Sequence, residues 1–123
     1  MEKILKFKLE LEDVKYVQTY LEVINIFLPK KLTGKEMEVI ATFLSLPKII
    51  VKDDMFNSYA RGFVREKMGI SHAGLANYLK SLTDKGFLVK DDKGKIRLRR
   101  LLKPEGDSQN FSINIINVKK HDN

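Results

Sequence analysis

Apolar residues recur along the chain with two different spacings, and the spacing distinguishes strands from helices. Within residues 4–12, positions 5–12 alternate strictly between apolar and charged side chains. The apolar side consists of Leu5, Phe7, Leu9 and Leu11. Because successive side chains of a strand point to opposite faces, this alternation predicts a half-buried strand. Phe111, Ile113 and Ile115 alternate with polar residues in the same way, which predicts a second strand over 111–118 before a frayed tail.

Steps of three and four between apolar residues predict helices in the first half of the chain. The first covers residues 13–28 and stops before Pro29. The second begins at Thr33, where Glu36 three residues later completes a capping box, and it ends before Pro47. Residues 48–54 are expected to form a short strand or a connector.

Two further helices follow almost without a break. Residues 55–69 are predicted to be helical, with Gly69 at the C-terminal cap. The next helix covers 71–85, with Ser71 as its N-cap and Gly86 after its end. Its leucines at positions 75, 79 and 82 lie on one face and are expected in the core.

Residues 87–100 are predicted to form a β-hairpin with its turn at residues 91–94, where two aspartates precede Lys93 and a glycine. We expect Val89 to face Ile96 across the hairpin and Phe87 to face Leu98, with all four in the core. The opposite face would then carry one row of cations. This row consists of Lys90, Lys95, Arg97 and Arg99.

The stretch REKMGISHAGLANYLKSLTDKGFLVKDDKGKIRLRR, residues 65–100, resembles the winged helix-turn-helix fold and especially the MarR-like regulators. A supporting helix ends in a Gly–Ile–Ser turn, a second helix follows, and a Lys–Gly–hydrophobic step leads into a hairpin. The resemblance implies an α+β fold with a winged helix-turn-helix core at 33–103. An N-terminal strand and helix (1–32) and a C-terminal strand and tail (104–123) would extend this core within one domain, 1–123.

The family resemblance implies binding of double-stranded DNA, with helix 71–85 in the major groove and the hairpin on the phosphate backbone. An asparagine can bond both edge atoms of adenine, and a helix N-terminus suits a phosphate. The candidate DNA-binding residues on the helix are Ser71, His72, Ala73, Asn77, Tyr78 and Lys80. Those on the hairpin are Lys90, Lys93, Lys95, Arg97 and Arg99.

Charge supports an anionic partner, because its excess is local. The chain has a formal net charge of +7. Residues 85–103 hold eight lysines and arginines against two aspartates, so they contribute six of these seven charges. The apolar content of 43% is ordinary for a globular chain, and no apolar run is long enough to cross a membrane. The lack of cysteine and of a signal peptide fits a cytoplasmic protein.

No catalytic residue, cofactor or metal site is expected, so the protein is predicted not to be an enzyme. Phosphate-binding, dinucleotide-binding, nucleophile-elbow and zinc-protease motifs do not occur in the sequence. The adjacent aspartates at 53–54 and at 91–92 suit turns better than paired acid–base chemistry.

Two questions stay open at this point. The terminal strands either pair with each other and cap the domain, or the N-terminal strand and helix join two copies in a homodimer. The helix 71–85 exposes only one cation, Lys80. The alternative function is therefore a winged helix used for protein–protein assembly or in replication, as in a phage or plasmid complex.

Overall fold

The computed structural model describes residues 3–119, which form five α-helices and a two-stranded antiparallel sheet. The elements are α1 Asp13–Asn25, α2 Gly34–Leu44, α3 Lys48–Val51, α4 Ser58–Met68, α5 His72–Asp84, β1 Leu88–Lys90 and β2 Ile96–Leu98. A 3-10 turn, Arg100–Leu102, follows β2. The α+β class is confirmed, and the order of α2, α4, α5 and the hairpin is compatible with a winged helix.

One hydrophobic core holds the helices together, and α1 contributes its whole apolar stripe to it. Val17, Leu21 and Ile24 of α1 are buried, and α1 packs on α2. Leu28 beyond the helix is buried as well. Because this stripe is covered by the protein's own core, it is not available to a second copy, as the expected helix-mediated dimer would require.

The start of α2 matches the predicted capping box. Thr33 Oγ1 accepts from the Glu36 N–H at 3.1 Å, and Glu36 Oε1 accepts from the Thr33 N–H at 2.8 Å. The helix ends before Pro47, as expected. Residues Lys48–Val51 then form a single helical turn, so of the two expected alternatives, a strand or a connector, the strand is wrong there. The Pro47 carbonyl, which accepts from the Ile50 N–H at 2.9 Å, closes this turn.

The connection between α4 and α5 is short and is closed by side-chain and backbone caps at both ends. Gly69 takes a φ of 65°, in the left-handed region that favours glycine, and the Ile70 N–H bonds to the Arg65 carbonyl at 3.1 Å. Ser71 Oγ accepts from the Gly74 N–H at 2.9 Å and caps α5. Both caps are confirmed, and they fix the direction of α5 relative to α4.

The two predicted terminal strands are not formed. Residues 3–12 and 110–118 carry no helix or strand, and within the described chain residues 3–11 and 110–118 make no backbone-to-backbone hydrogen bond. Alternation makes a segment able to form a strand, but a strand also needs a neighbour for its N–H and C=O groups, and neither segment provides one for the other. Their apolar side chains are exposed, as for Phe7 at 85% and Ile115 at 90%. The tail from residue 120 lies outside the described residues.

Candidate nucleic-acid interface

Helix α5 separates its apolar and polar residues onto opposite faces. Leu75, Leu79 and Leu82 are buried against α2 and α4, which confirms their predicted core role. The other candidate residues of the helix are exposed, except for Tyr78, which is half-buried against the core. The exposed ones are Ser71, His72, Ala73, Asn77 and Lys80. This face carries polar and small side chains.

Lys80 is the only basic side chain on that face of α5, and it already has an acidic neighbour. Its Nζ lies 3.4 Å from Asp84 Oδ2, one helical turn away. Both side chains are largely exposed, and such pairs are weak and screened by salt. A phosphate could therefore replace Asp84 as the partner of Lys80 at little cost.

The hairpin has a different register from the predicted one. Leu88 pairs with Leu98, Val89 with Arg97, and Lys90 with Ile96, a shift of one residue. The turn sets this register, because the Asp91 N–H bonds to the Lys95 carbonyl at 2.8 Å. A shift by one residue moves a side chain to the other face of a strand, so Lys90 does not belong to the predicted row.

The rest of the predicted row is partly held by internal contacts. Lys95 Nζ lies 3.3 Å from Asp53 Oδ2, in the loop between α3 and α4. Arg97 Nε lies 3.0 Å from Asp91 Oδ2, and its Nη1 donates to the Asp53 carbonyl at 2.9 Å. Arg99 Nε donates to the Gly86 carbonyl. These contacts fasten the hairpin to the body and leave fewer cations free than expected.

These cations lower the pKa values of two carboxylates, those of Asp53 and Asp91. The hydrogen bond from Lys95 lowers the pKa of Asp53, and the hydrogen bond from Arg97 lowers that of Asp91. Asp91 Oδ1 also accepts from the N–H groups of Lys93 and Lys95, at 2.9 and 3.0 Å. Asp91 therefore shapes the turn, as predicted, and at the same time positions Arg97.

Three candidate cations form no ion pair within residues 3–119, namely Lys90, Lys93 and Arg99. All three are exposed. Lys90 is at the end of β1, Lys93 lies in the turn, and Arg99 directly follows β2. Together with the polar face of α5, these cations form the candidate interface.

A buried polar cluster that the sequence did not reveal joins the end of α5 to the start of α2. Lys85 Nζ lies 2.6 Å from Glu36 Oε1 and donates to the Lys31 carbonyl at 2.8 Å. Ser81 Oγ donates to Glu36 Oε2 at 2.6 Å. The capping box marks Glu36 in the sequence, but nothing local connects it with Lys85, because the two are 49 residues apart.

Residues 3–119 contain no group of three or more His, Cys, Asp or Glu side chains placed to hold a metal ion. Over the same range, no helix has both the length and the apolar character needed to cross a bilayer. No protein-family model, curated protein or solved structure matches the chain. The candidate interface therefore rests on its own residues and their geometry.

Proposed function

We propose that this protein binds double-stranded DNA sequence-specifically and acts as a small transcriptional regulator. In this proposal α2, α4, α5 and the hairpin form a winged helix. Helix α4 supports α5, α5 enters the major groove, and the hairpin contacts the phosphate backbone. The cytoplasmic location expected from the sequence is part of this proposal.

The observation that carries the proposal is that α5, which packs against β1, exposes a polar face, and that the adjoining hairpin carries exposed cations. Asn77 offers a donor and an acceptor that match the major-groove edge of adenine. Ala73 is exposed and small, which allows the helix to approach bases closely. Ser71 ends the loop before the helix N-terminus, a position that suits a phosphate.

The hairpin supplies the charge that α5 lacks. Lys90, Lys93 and Arg99 are exposed and form no internal ion pair in the described residues, so they can meet phosphates directly. Contacts to phosphates position a protein on DNA, whereas contacts to base edges give specificity. We therefore assign affinity to the hairpin and sequence preference to α5.

We infer that two copies act together on the DNA. One copy offers a single basic side chain on α5 and a few free cations on the hairpin, which is little for a tight complex. Joining two such modules raises the effective concentration of the second after the first has bound. The overall affinity then exceeds that of either copy.

A second candidate function is protein–protein assembly, including assembly in a replication complex. The internal pairing of Lys95 and Arg97 with acidic residues favours it, because these cations are then less available to phosphates. The exposed apolar side chains at both ends of the chain favour it too. A titration with random-sequence duplex tests between the two functions: absence of binding even at low salt would reject the DNA proposal and leave protein–protein assembly.

Removal of the two free hairpin lysines tests the DNA proposal. The double substitution Lys90→Ala and Lys93→Ala should weaken binding to all duplexes about tenfold at moderate salt. It should also reduce the slope of log affinity against log salt concentration by about two, since two phosphate contacts are lost. Neither lysine forms an internal ion pair in the described chain, so the fold should stay intact. Binding is measured by fluorescence anisotropy over a salt series.

The matched control is Lys15→Ala with Lys30→Ala, which removes the same charge from exposed positions elsewhere. Equal weakening in both variants would show that only net charge matters and would reject the hairpin contact. Asn77→Ala gives the complementary result. It should change sequence preference while leaving random-duplex affinity and the salt slope nearly unchanged.

A further inference from the structure

The N-terminal segment, residues 3–12, leaves its backbone and its apolar side chains unpartnered in the single chain. Leu5, Phe7 and Leu9 are 72%, 85% and 70% exposed. No backbone hydrogen bond between main-chain groups is formed by residues 3–11 within the described structure. An alternating segment with free N–H and C=O groups is a ready template for pairing with another strand.

The charged side of this segment has an order that selects its partner. Lys6 and Lys8 precede Glu10 and Glu12, so two positive charges are followed by two negative charges. Lys8 Nζ and Glu10 Oε1 are 3.0 Å apart, which shows that these side chains lie on the same side of the segment. Two copies of this segment that align antiparallel can therefore place each positive charge opposite a negative charge.

We propose that residues 6–12 pair antiparallel with the same residues of a second copy, about a two-fold axis at Leu9. Lys6 then lies opposite Glu12 of the second copy, and Lys8 lies opposite Glu10 of the second copy. By symmetry each pair occurs twice. Directly opposite residues share a face of the two-stranded ribbon. On the face away from the charges, Phe7 therefore contacts Leu11 of the second copy, and Leu9 contacts Leu9 of the second copy. Such an isologous contact gives a closed dimer.

Other alignments of the two segments bring like charges or unlike faces together. A parallel pairing in register places Lys8 against Lys8 and Glu10 against Glu10. A shift of the antiparallel axis to residue 8 or to residue 10 also brings two identical charges face to face. An antiparallel axis that lies between two neighbouring residues places apolar side chains opposite charged ones. Only the axis at Leu9 places every charge from Lys6 to Glu12 opposite a charge of the other sign.

The C-terminal segment is placed to extend this sheet. Tyr16 Oη donates to the Gly106 carbonyl at 3.2 Å, and the Tyr20 ring packs against Phe111 with 5.9 Å between ring centroids and a tilt of 38° between the ring planes. Leu11 and Asp107 line one cavity of about 460 Å³ beside Tyr16, so both terminal segments leave the body at the same place. A two-stranded ribbon alone is only marginally stable, and residues 111–118 of each copy would add an outer strand.

Charge exchange tests the interface in the full chain without DNA, so a failure here leaves the DNA contacts proposed for α5 and the hairpin untouched. One variant carries Lys6→Glu and Lys8→Glu, and the other carries Glu10→Lys and Glu12→Lys. Each variant alone faces only like charges and should dimerise about tenfold or more weakly than the wild type. An equimolar mixture should restore dimers, because all opposite charges then match. The variant with all four exchanges should dimerise as the wild type does.

Sedimentation velocity over a dilution series measures these associations. The changed side chains lie outside the core, so unchanged circular dichroism and thermal unfolding are expected in all variants. A monomeric wild type would overturn the proposal, and this is the outcome if residues 3–12 pair with 111–118 of the same chain. Unchanged dimerisation of the two like-charge variants would overturn it as well.

Cross-linking locates the axis, because the chain contains no cysteine. Leu9→Cys places the two thiols opposite each other, and oxidation should join the copies rapidly. Leu5→Cys is the control, since its equivalents would lie eight residues apart along the ribbon, on the order of 25 Å. Equally fast cross-linking of both variants would reject the axis at Leu9.

Discussion

Glu36 is the most buried acidic side chain in the described chain, with an exposed fraction of 1%. Burial raises the pKa of this carboxyl, but hydrogen bonds from Lys85, Ser81 and the Thr33 N–H outweigh it and hold the pKa below its usual range. Both oxygens of the charged form thus accept hydrogen bonds, two at Oε1 and one at Oε2. Loss of the negative charge on Glu36 would leave the Lys85 ammonium and the Ser81 hydroxyl without their charged partner.

Replacement of Glu36 by glutamine should therefore destabilise the protein at neutral pH by roughly 2 kcal/mol. The cost stays below that of breaking a fully buried pair because Lys85 keeps some contact with water. Urea unfolding measures it. Glu38→Gln is the control, since Glu38 pairs with Lys35 at the surface and should matter little.

The same substitution has a consequence for the pH dependence of stability. Because folding lowers the pKa of Glu36, its contribution is complete above the unfolded value of 4.5 and is lost as the pH falls through the folded value. Unfolding experiments from neutral pH down to about pH 3 should show a smaller acid-side loss in Glu36→Gln than in the wild type. An identical acid-side loss would contradict the role of this carboxylate.

The hairpin and the loop between α3 and α4 act as one unit through Asp53. This exposed carboxylate contacts Lys95, and its backbone carbonyl accepts from Arg97. The carboxylate contact depends on charge, whereas the backbone contact does not. If the hairpin binds DNA as proposed, Asp53 competes with phosphates for Lys95, while the contact between Arg97 and the loop keeps the hairpin in place.

Asp53→Asn should strengthen binding to random duplex several-fold and make its salt dependence steeper by about one phosphate contact. The backbone contact to Arg97 remains, so the hairpin should keep its position. Glu22→Gln serves as the control, because it removes the same charge from an exposed site on α1. Weaker binding of Asp53→Asn would instead mean that Asp53 orders Lys95 for the DNA contact, against the expectation here.

Two copies joined at Leu9 would present two α5 helices related by a two-fold axis. The stripe of α1 is buried within its own chain, and in this proposal the terminal segments form the contact instead. A symmetric pair of reading helices requires a target with the same symmetry. The distance between the two half-sites then depends on how the terminal sheet sets the two bodies apart.

Selection of bound duplexes from a random pool should return two inverted half-sites whose centres are about 10 base pairs, or a multiple of that, apart. The like-charge variant with Lys6→Glu and Lys8→Glu should select single half-sites with lower affinity. Sequencing of the pools at two salt concentrations gives the motif and the spacing together. Direct repeats, or paired half-sites for the like-charge variant, would disagree with a dimer joined at Leu9.

Local chemistry was sufficient to predict much of this fold. Apolar spacing predicted α1, α2, α4 and α5, and the caps at Thr33, Gly69 and Ser71 form as expected, because a cap depends on residues within a few positions. The polar face of α5 follows from the same spacing. The hairpin and its turn were also predicted from neighbouring residues, although their register was not.

The remaining features depend on contacts between residues distant in sequence. The register of the hairpin, the link from Lys95 to Asp53 and the burial of Lys85 against Glu36 arise only when the elements pack. Alternation in residues 3–12 determines that this segment can become a strand, but the neighbour that completes it must come from elsewhere. The sequence alone determined which segments can form elements, and the tertiary structure decided which of their charges and strand edges are left free, because packing determines the partners.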